Sequence, residues 1–171
     1  MLFSQNIWFF QEKSTAYCVD SGGHAFYNKT NERKGAARMT LEGFGLFVED
    51  MGTMIRFYRD VLGFEITEPE NAVNVYLKKD GVLFMLYERK NFEKMTGHAY
   101  EYLKGLNGHY EIALKVDSFS EVDETFADAV SRGAEPVMQP ETMPWGQRTC
   151  YVADPEGNLI EIASFGTNAV M

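Results

Sequence analysis

Two glutamates are the residues of this sequence whose type and spacing come closest to a chemical site. Glu111 and Glu161 are each predicted on a strand, at positions that alternate with apolar residues facing a helix. Their carboxylates would therefore point to the opposite, concave face, where each must be hydrogen-bonded, ion-paired or hydrated. The residues leave two interpretations open: a structural pair bonded to Arg148, Thr149 or Tyr151, or a pair that binds a ligand or shares a proton.

Aromatic and thioether side chains are predicted to surround these carboxylates. Strand alternation places most of them on the concave face, and the segment of residues 143–146 is expected to be a rim loop carrying Trp145. Such side chains supply stacking and cation–π surface for a small organic molecule. Trp145 has a second interpretation, as a ring that merely plugs the end of a barrel. The predicted ligand-binding residues are Phe47, Tyr76, Met85, Glu111, Trp145, Tyr151 and Glu161.

The order of strands and helix that positions these residues occurs twice along the chain. In the first half, a strand at residues 41–48 precedes a helix that Asp50 would cap and Gly63 would end. Strands are then predicted at residues 64–68, 73–78 and 82–87. In the second half, a strand at residues 111–116 precedes a helix opened by the capping box Ser118–Glu121 and ended by Gly133. Strands follow at residues 135–138, 148–153 and 159–164. A five-residue hairpin between the last two would set Tyr151 opposite Glu161.

The two halves align element by element. Leu46 falls on Leu114 and Gly81 on Gly157, with an offset that drifts only from 68 to 76 residues. The sequence therefore predicts an α+β fold in which paired βαβββ modules form a curved, barrel-like mixed sheet around a cavity. Module one spans residues 40–90, the connector spans 91–108 with a predicted helix, and module two spans 109–165.

Residues 39–171 are expected to form one domain, and residues 1–38 an N-terminal extension outside the native domain. The first 38 residues lack sustained periodicity, and residues 32–36 can be encoded by a purine-rich ribosome-binding sequence ahead of Met39. The alternative is a genuine extension whose aromatic residues dock on the domain.

Charge and cysteine content restrict the partners and the compartment. Residues 39–171 contain 11 Lys and Arg against 22 Asp and Glu, a balance of −11, which disfavours nucleic acid and anionic membrane surfaces. No apolar run approaches the ~20 residues that cross a bilayer. Two cysteines are too few for a disulfide framework, so we expect a cytoplasmic protein.

Three segments resemble the vicinal oxygen chelate superfamily, which includes glyoxalase I, bleomycin-resistance proteins and extradiol dioxygenases. They are residues 46–50 (LFVED), 57–64 (FYRDVLGF) and 154–161 (DPEGNLIE). The resemblance implies the paired βαβββ fold, and commonly a homodimer with a site shared between chains. It also places the metal-ligand positions of metal-dependent members at Gly43, Met85, Glu111 and Glu161. Only Glu161 is the usual ligand type there, so we expect no cofactor. If a divalent metal does bind, Glu161, Glu111 and His109 are the candidate ligands.

These observations lead to one preferred function and two alternatives. The preferred function is binding, without catalytic metal, of a small hydrophobic compound that the carboxylates would favour in cationic form. The first alternative is a metal-dependent lyase or isomerase of the glyoxalase I type. The second is a metal-free acid/base enzyme that uses Glu111 and Glu161 as its candidate catalytic pair.

Overall fold

The computed structural model describes residues 17–19, 25–27 and 40–166. The chain separates into two units, Met1–Thr40 and Leu41–Met171. In the first unit, β1 (Tyr17–Val19) and β2 (Ala25–Tyr27) pair antiparallel. The prediction that residues 1–38 stand outside the native domain falls mostly on residues beyond those described, and it stays a prediction.

Module one folds as a strand, a helix and two further strands. After β3 (Gly43–Val48), Asp50 caps α1 (Met51–Arg56) through the backbone N–H of Thr53, as predicted. The helix continues through a π-helical turn at Phe57–Val61, and Gly63 follows with a positive φ. β4 (Asn74–Lys79) and β5 (Val82–Glu88) form a tight hairpin, and β5 also pairs parallel with β3, giving the order β3-β5-β4.

Module two repeats this plan with one more strand. β6 (Asn107–Lys115) leads to α3 (Phe119–Ser131), which begins at the predicted capping box of Ser118 and Glu121. β7 (Glu135–Thr142), β8 (Arg148–Ala153) and β9 (Asn158–Ser164) complete a sheet with the order β6-β9-β8-β7. In both modules the first strand pairs parallel with the last, so the repeat predicted from the sequence is also a repeat of topology.

Two predicted elements differ from the structure. Residues 64–68 form no strand, although Phe64 and Ile66 are buried alternately. The N–H of Tyr76 donates to a side-chain oxygen of Glu68, whereas in a strand pair it would donate to a backbone carbonyl. The connector helix is α2 (Arg89–Thr96), which ends at Gly97 in the left-handed conformation, well before residue 108. The remainder of the connector up to β6 has no regular structure.

One hydrophobic core joins the two modules. Side chains of β3, α1 and β5 pack in the same buried cluster as side chains of α3, β8 and β9. Its members include Leu46, Tyr58, Leu86, Val122, Phe126 and Ile160. Since one face of each curved sheet packs on this core, the opposite concave face remains for a ligand, and the sheets are curved without closing.

A polar contact, which we call the seam, also joins the modules. It consists of Glu49, Asp50, Tyr58 and Arg89 on module one and Asp154, Glu156 and Asn158 on module two. The Tyr58 hydroxyl donates to Asp154 Oδ2 at 3.0 Å, inside the core. The N–H groups of Glu49 and Asp50 donate to Glu156 Oε1 at 2.7 and 3.0 Å, which gives backbone donors beside the start of α1 a hydrogen-bond acceptor.

The connector lies directly on the β8–β9 turn. The N–H of Asn107 donates to the carbonyl of Gly157 at 2.7 Å. A Cβ at Gly157 would come within 2.0 Å of the Gly105 carbonyl oxygen, and φ there is +85°. Glycine is therefore required at position 157 by both the close approach and the backbone conformation.

Candidate functional site

Glu161 is the centre of the concave face of module two. It lies on β9, opposite Tyr151 on β8 as predicted, and opposite Ala113 on β6. Thr149 Oγ1 donates to Glu161 Oε1 at 2.8 Å, and Gln147 Nε2 donates to the same oxygen at 3.4 Å. Within the described residues Oε2 accepts no hydrogen bond, so this carboxylate is oriented by the protein while one oxygen remains available.

A small cavity of about 190 Å³ adjoins Glu161. Ala113 and Ala163 flank the glutamate on the neighbouring strand positions, and their short side chains leave room above the sheet. Lys115 and Phe165 line the same cavity. The cavity therefore combines one carboxylate and one ammonium with an aromatic ring, a set suited to a small planar ligand with a charged group.

Glu111 has a different partner. The Tyr151 hydroxyl donates to Glu111 Oε2 at 2.7 Å, at an exposed position of the concave face. Burial, followed by this hydrogen bond, raises the pKa of Tyr151 far above its usual value, so the phenol keeps its proton. Across β6 and β9, Glu111 pairs with Leu159 and Glu161 pairs with Ala113, so the two glutamates are offset by two positions on the sheet.

These contacts match part of the structural interpretation of the glutamates. Thr149 and Tyr151 each bond one carboxylate, whereas Arg148 turns away and bonds Asp123 of α3 at 2.8 Å. Among residues 40–166, no arginine forms an ion pair with Glu161.

Trp145 belongs to the loop between β7 and β8 and is 64% exposed. Its indole N–H donates to Gln147 Oε1 at 2.9 Å, and Gln147 in turn donates to Glu161. This chain connects the rim of the face to its central carboxylate. No sequence signal pointed to Gln147, because a loop residue next to a strand has no alternation that would assign it to a face of the sheet.

The concave face of module one is aromatic. The rings of Phe47 and Tyr76 lie 6.0 and 5.7 Å from that of Tyr87, centroid to centroid. The Tyr87 hydroxyl donates to Met85 Sδ at 3.2 Å, and both side chains extend over Gly45. Phe92 of α2 adds a further ring 4.2 Å from Phe47. Phe92 lies in the connector where the sequence predicted a helix, but nothing in the sequence indicated which face of the sheet that helix would meet.

The two concave faces do not line one common cavity within residues 40–166. The cavity at Glu161 is lined only by residues of module two, and Phe47 lines a different one near the connector. His109 also lines that second cavity, because a register shift in β6 between Asn107 and Glu111 breaks the alternation that predicted it beside Glu111. Within residues 40–166 the two sheets are curved without closing, and the cavity at Glu161 is separate from the one that Phe47 and His109 line.

Two of the four metal-ligand positions implied by the resemblance offer no good ligand for a hard divalent ion. Gly43 has no side chain, and a Cβ there would meet the Leu83 carbonyl oxygen at 2.3 Å, so a ligating side chain would force β3 away from β5. Met85 Sδ is a poor ligand for hard divalent ions and already accepts a hydrogen bond. In the described part of the chain, no three His, Cys, Asp or Glu side chains converge as ligands.

Comparisons with known proteins place the fold. The family model of the Glyoxalase/Bleomycin resistance protein/Dioxygenase superfamily matches residues 40–162. Uncharacterized protein YraH of Bacillus subtilis (strain 168) is 29% identical over 127 residues, 72% of this chain and 97% of the relative. No helix in the described residues has the length and apolar character needed to span a membrane.

Solved structures agree with that family. A glyoxalase-related enzyme from Fulvimarina pelagi has a TM-score of 0.64 at 23% identity, covering 74% of this chain and 88% of its own. A lactoylglutathione lyase from Agrobacterium tumefaciens has a TM-score of 0.58 at 21% identity, covering 75% of this chain and 96% of its own. At these identities the similarity establishes the fold alone.

Proposed function

Because this chain belongs to the Glyoxalase/Bleomycin resistance protein/Dioxygenase superfamily, we propose that it binds a small hydrophobic compound on its concave faces, with a preference for cations and without a catalytic metal. The observation that carries this proposal is the state of Glu161. Thr149 and Gln147 hold one carboxylate oxygen and leave the other beside a small cavity. An oriented carboxylate attracts a cation without the cost of ordering the side chain on binding.

The aromatic face of module one supports a hydrophobic ligand. The rings of Phe47, Tyr76 and Tyr87 adjoin one another in tilted and edge-to-face contacts. Tyr76 is 49% exposed, so this aromatic surface is accessible to a ligand. Cations bind favourably over such rings, and the acidic surroundings raise the local concentration of positive compounds. Lys115 opposes this preference, since it lines the same cavity as Glu161.

We also propose that the working unit is a homodimer. The concave faces of one chain are open, and large apolar or aromatic side chains on or beside them stay exposed, among them Phe47, Tyr76 and Trp145. A second copy could cover one face with the complementary face of its other module, which would place aromatic rings opposite Glu161. Light scattering at micromolar concentration should then give twice the 19.5 kDa mass of the chain; a monomeric mass would refute the dimer.

The binding experiment compares two naphthalene compounds that carry substituents of opposite charge. 2-Naphthylmethylammonium should bind more tightly than 2-naphthoate in a calorimetric titration, because Glu161 and Glu111 both face the ligand. Glu161→Gln should weaken the cation about tenfold, or ~1.4 kcal/mol, and Lys115→Gln should strengthen it. Glu124→Gln is the matched control, since Glu124 is an exposed glutamate of α3 away from the face.

Two results would contradict the proposal. Tighter binding of the anion would remove the role of Glu161, and an equal loss in Glu161→Gln and Glu124→Gln would reduce the effect to net charge. A metal near one equivalent per chain that is lost in Glu161→Gln would instead favour the glyoxalase I type of function.

A further inference from the structure

A second cavity, of about 330 Å³, lies between module one, the connector and module two. Its aromatic lining includes Phe44, Tyr102 and Tyr110, and its polar lining includes Asn107, His109 and Asn158. The rings of Phe44 and Tyr110 meet edge to face at 5.2 Å, so the two modules themselves build one wall. The volume lies at the lower end of the range for small-molecule sites, roughly 300–1,000 Å³.

The polar wall of this cavity is fixed before any ligand arrives. Asn158 is only 8% exposed, and its Nδ2 donates to the buried Asp154 at 2.7 Å. Its Oδ1 accepts from the Tyr110 hydroxyl and from Asn107 Nδ2. An amide that is bonded through both its oxygen and its nitrogen holds a binding surface in one geometry, which lowers the entropy cost of binding.

His109 supplies the adaptable contact. Its backbone N–H is anchored by Asn107 Oδ1 at 3.0 Å, while the imidazole makes no hydrogen bond within the described residues. The ring nitrogens of histidine can donate or accept a hydrogen bond, so the imidazole can meet a hydroxyl or an amide on a ligand.

The charges at this cavity disfavour anions. The guanidinium of Arg89 donates to Glu156 at 2.6 Å, to Glu49 at 3.0 Å and to the Phe47 carbonyl, so three of its five N–H donors are used and two carboxylates balance its charge. Glu101 and Glu156 also line the cavity, and together they outweigh that one arginine.

We propose that this intermodule cavity is a second ligand site, for a compact neutral aromatic molecule with a hydroxyl or amide edge. The ligand stacks on the aromatic wall and bonds to the His109 imidazole. It contacts both modules at once, and it is separate from the concave face that contains Glu161.

The experiment measures 2-naphthol binding by ligand-observed NMR and by fluorescence titration, with 2-naphthoate as the anion of the same shape. 2-Naphthol should bind with a saturable isotherm below 1 mM, and 2-naphthoate should bind at least about fivefold more weakly because of Glu101 and Glu156. His109→Ala and Phe44→Leu should each weaken 2-naphthol about five- to tenfold. His98→Ala, which removes an exposed histidine outside the cavity lining, should leave it unchanged.

The two sites can be distinguished by testing the variant of each site against the ligand of the other. Glu161→Gln should leave 2-naphthol binding to the intermodule cavity intact, and His109→Ala should leave 2-naphthylmethylammonium binding intact. Absence of 2-naphthol binding up to 1 mM overturns the second site. Binding that neither His109→Ala nor Phe44→Leu weakens overturns it as well, and either result leaves the test of the concave face standing.

Discussion

The seam and the concave face each contain a tyrosine hydroxyl that donates to a carboxylate, at 3.0 Å from Tyr58 to Asp154 and at 2.7 Å from Tyr151 to Glu111. The bonds are alike, but their surroundings differ. Asp154 is 1% exposed and belongs to the core, whereas Glu111 is open to water. A buried polar group is costly when it loses a partner and a solvated one is not, so we expect the seam to determine stability and the face to determine binding.

The same comparison explains what the family motifs do. Tyr58 lies in FYRDVLGF, and Asp154, Glu156 and Asn158 lie in DPEGNLIE, so the two most specific segments of the sequence bond to each other across the seam. These segments therefore identify the fold by the way its halves are held together. Of the residues proposed to bind a ligand on the concave faces, these segments contain only Glu161. This explains why they predict the fold far better than the ligand.

The largest expected effect is that of Asp154→Ala. This carboxylate accepts four hydrogen bonds, from the Tyr58 hydroxyl, the N–H groups of Glu156 and Asn158, and Asn158 Nδ2. Removing it leaves buried donors without partners and should lower the free energy of unfolding by about 3–5 kcal/mol in urea denaturation. Glu111→Ala, on the exposed face, should cost about 0.5 kcal/mol or less; equal losses would contradict the division of roles.

A matched pair of smaller changes sharpens the comparison. Tyr58→Phe and Tyr151→Phe each delete one hydroxyl that donates to a carboxylate. Tyr58→Phe should cost about 1–2 kcal/mol of unfolding free energy, because Asp154 stays buried with one donor fewer. Tyr151→Phe should cost about 0.5 kcal/mol at most, because water can replace the hydroxyl at Glu111. If Tyr151→Phe proves the more destabilising, the concave face is also a structural element.

The smallest effect appears in alkaline solution. Burial, and then the charge of Asp154, raise the pKa of Tyr58 well above 10 in the folded chain. An unfolded tyrosine releases its proton near pH 10, so the folded state binds more protons there and stability falls as pH rises above that value. Thermal unfolding measured between pH 8 and 10.5 should show a shallower decline in Tyr58→Phe than in the parent protein. An unchanged slope would mean that Tyr58 does not titrate differently in the two states.

The sequence predicted those elements whose signals are local. The caps at Asp50 and Ser118 and the burial of Leu46 on β3 and Leu86 on β5 agree with the structure. Alternation alone was misleading at residues 64–68, where burial of Phe64 and Ile66 continues without a backbone ladder. Alternation also failed at His109, since a register shift cannot be read from residue types.

The candidate site was predicted in part. Glu161 faces Tyr151 as expected from the hairpin length, and the aromatic side chains of module one share a face. The sequence did not indicate that Gln147 would bridge Trp145 to Glu161, or that the intermodule cavity exists. Both depend on contacts between elements far apart in the chain, which no local pattern encodes.

The number of residues between the two sides of the seam determines how long after one side the other is synthesised. Tyr58 and Asp154 are 96 residues apart. A ribosome that adds about 5–20 residues per second therefore makes Asp154 roughly 5–20 s after Tyr58. During that interval the nascent module one exposes apolar surface that only module two will cover, so the emerging chain is a substrate for chaperones at this stage. A pause in translation during this interval would prolong that exposure.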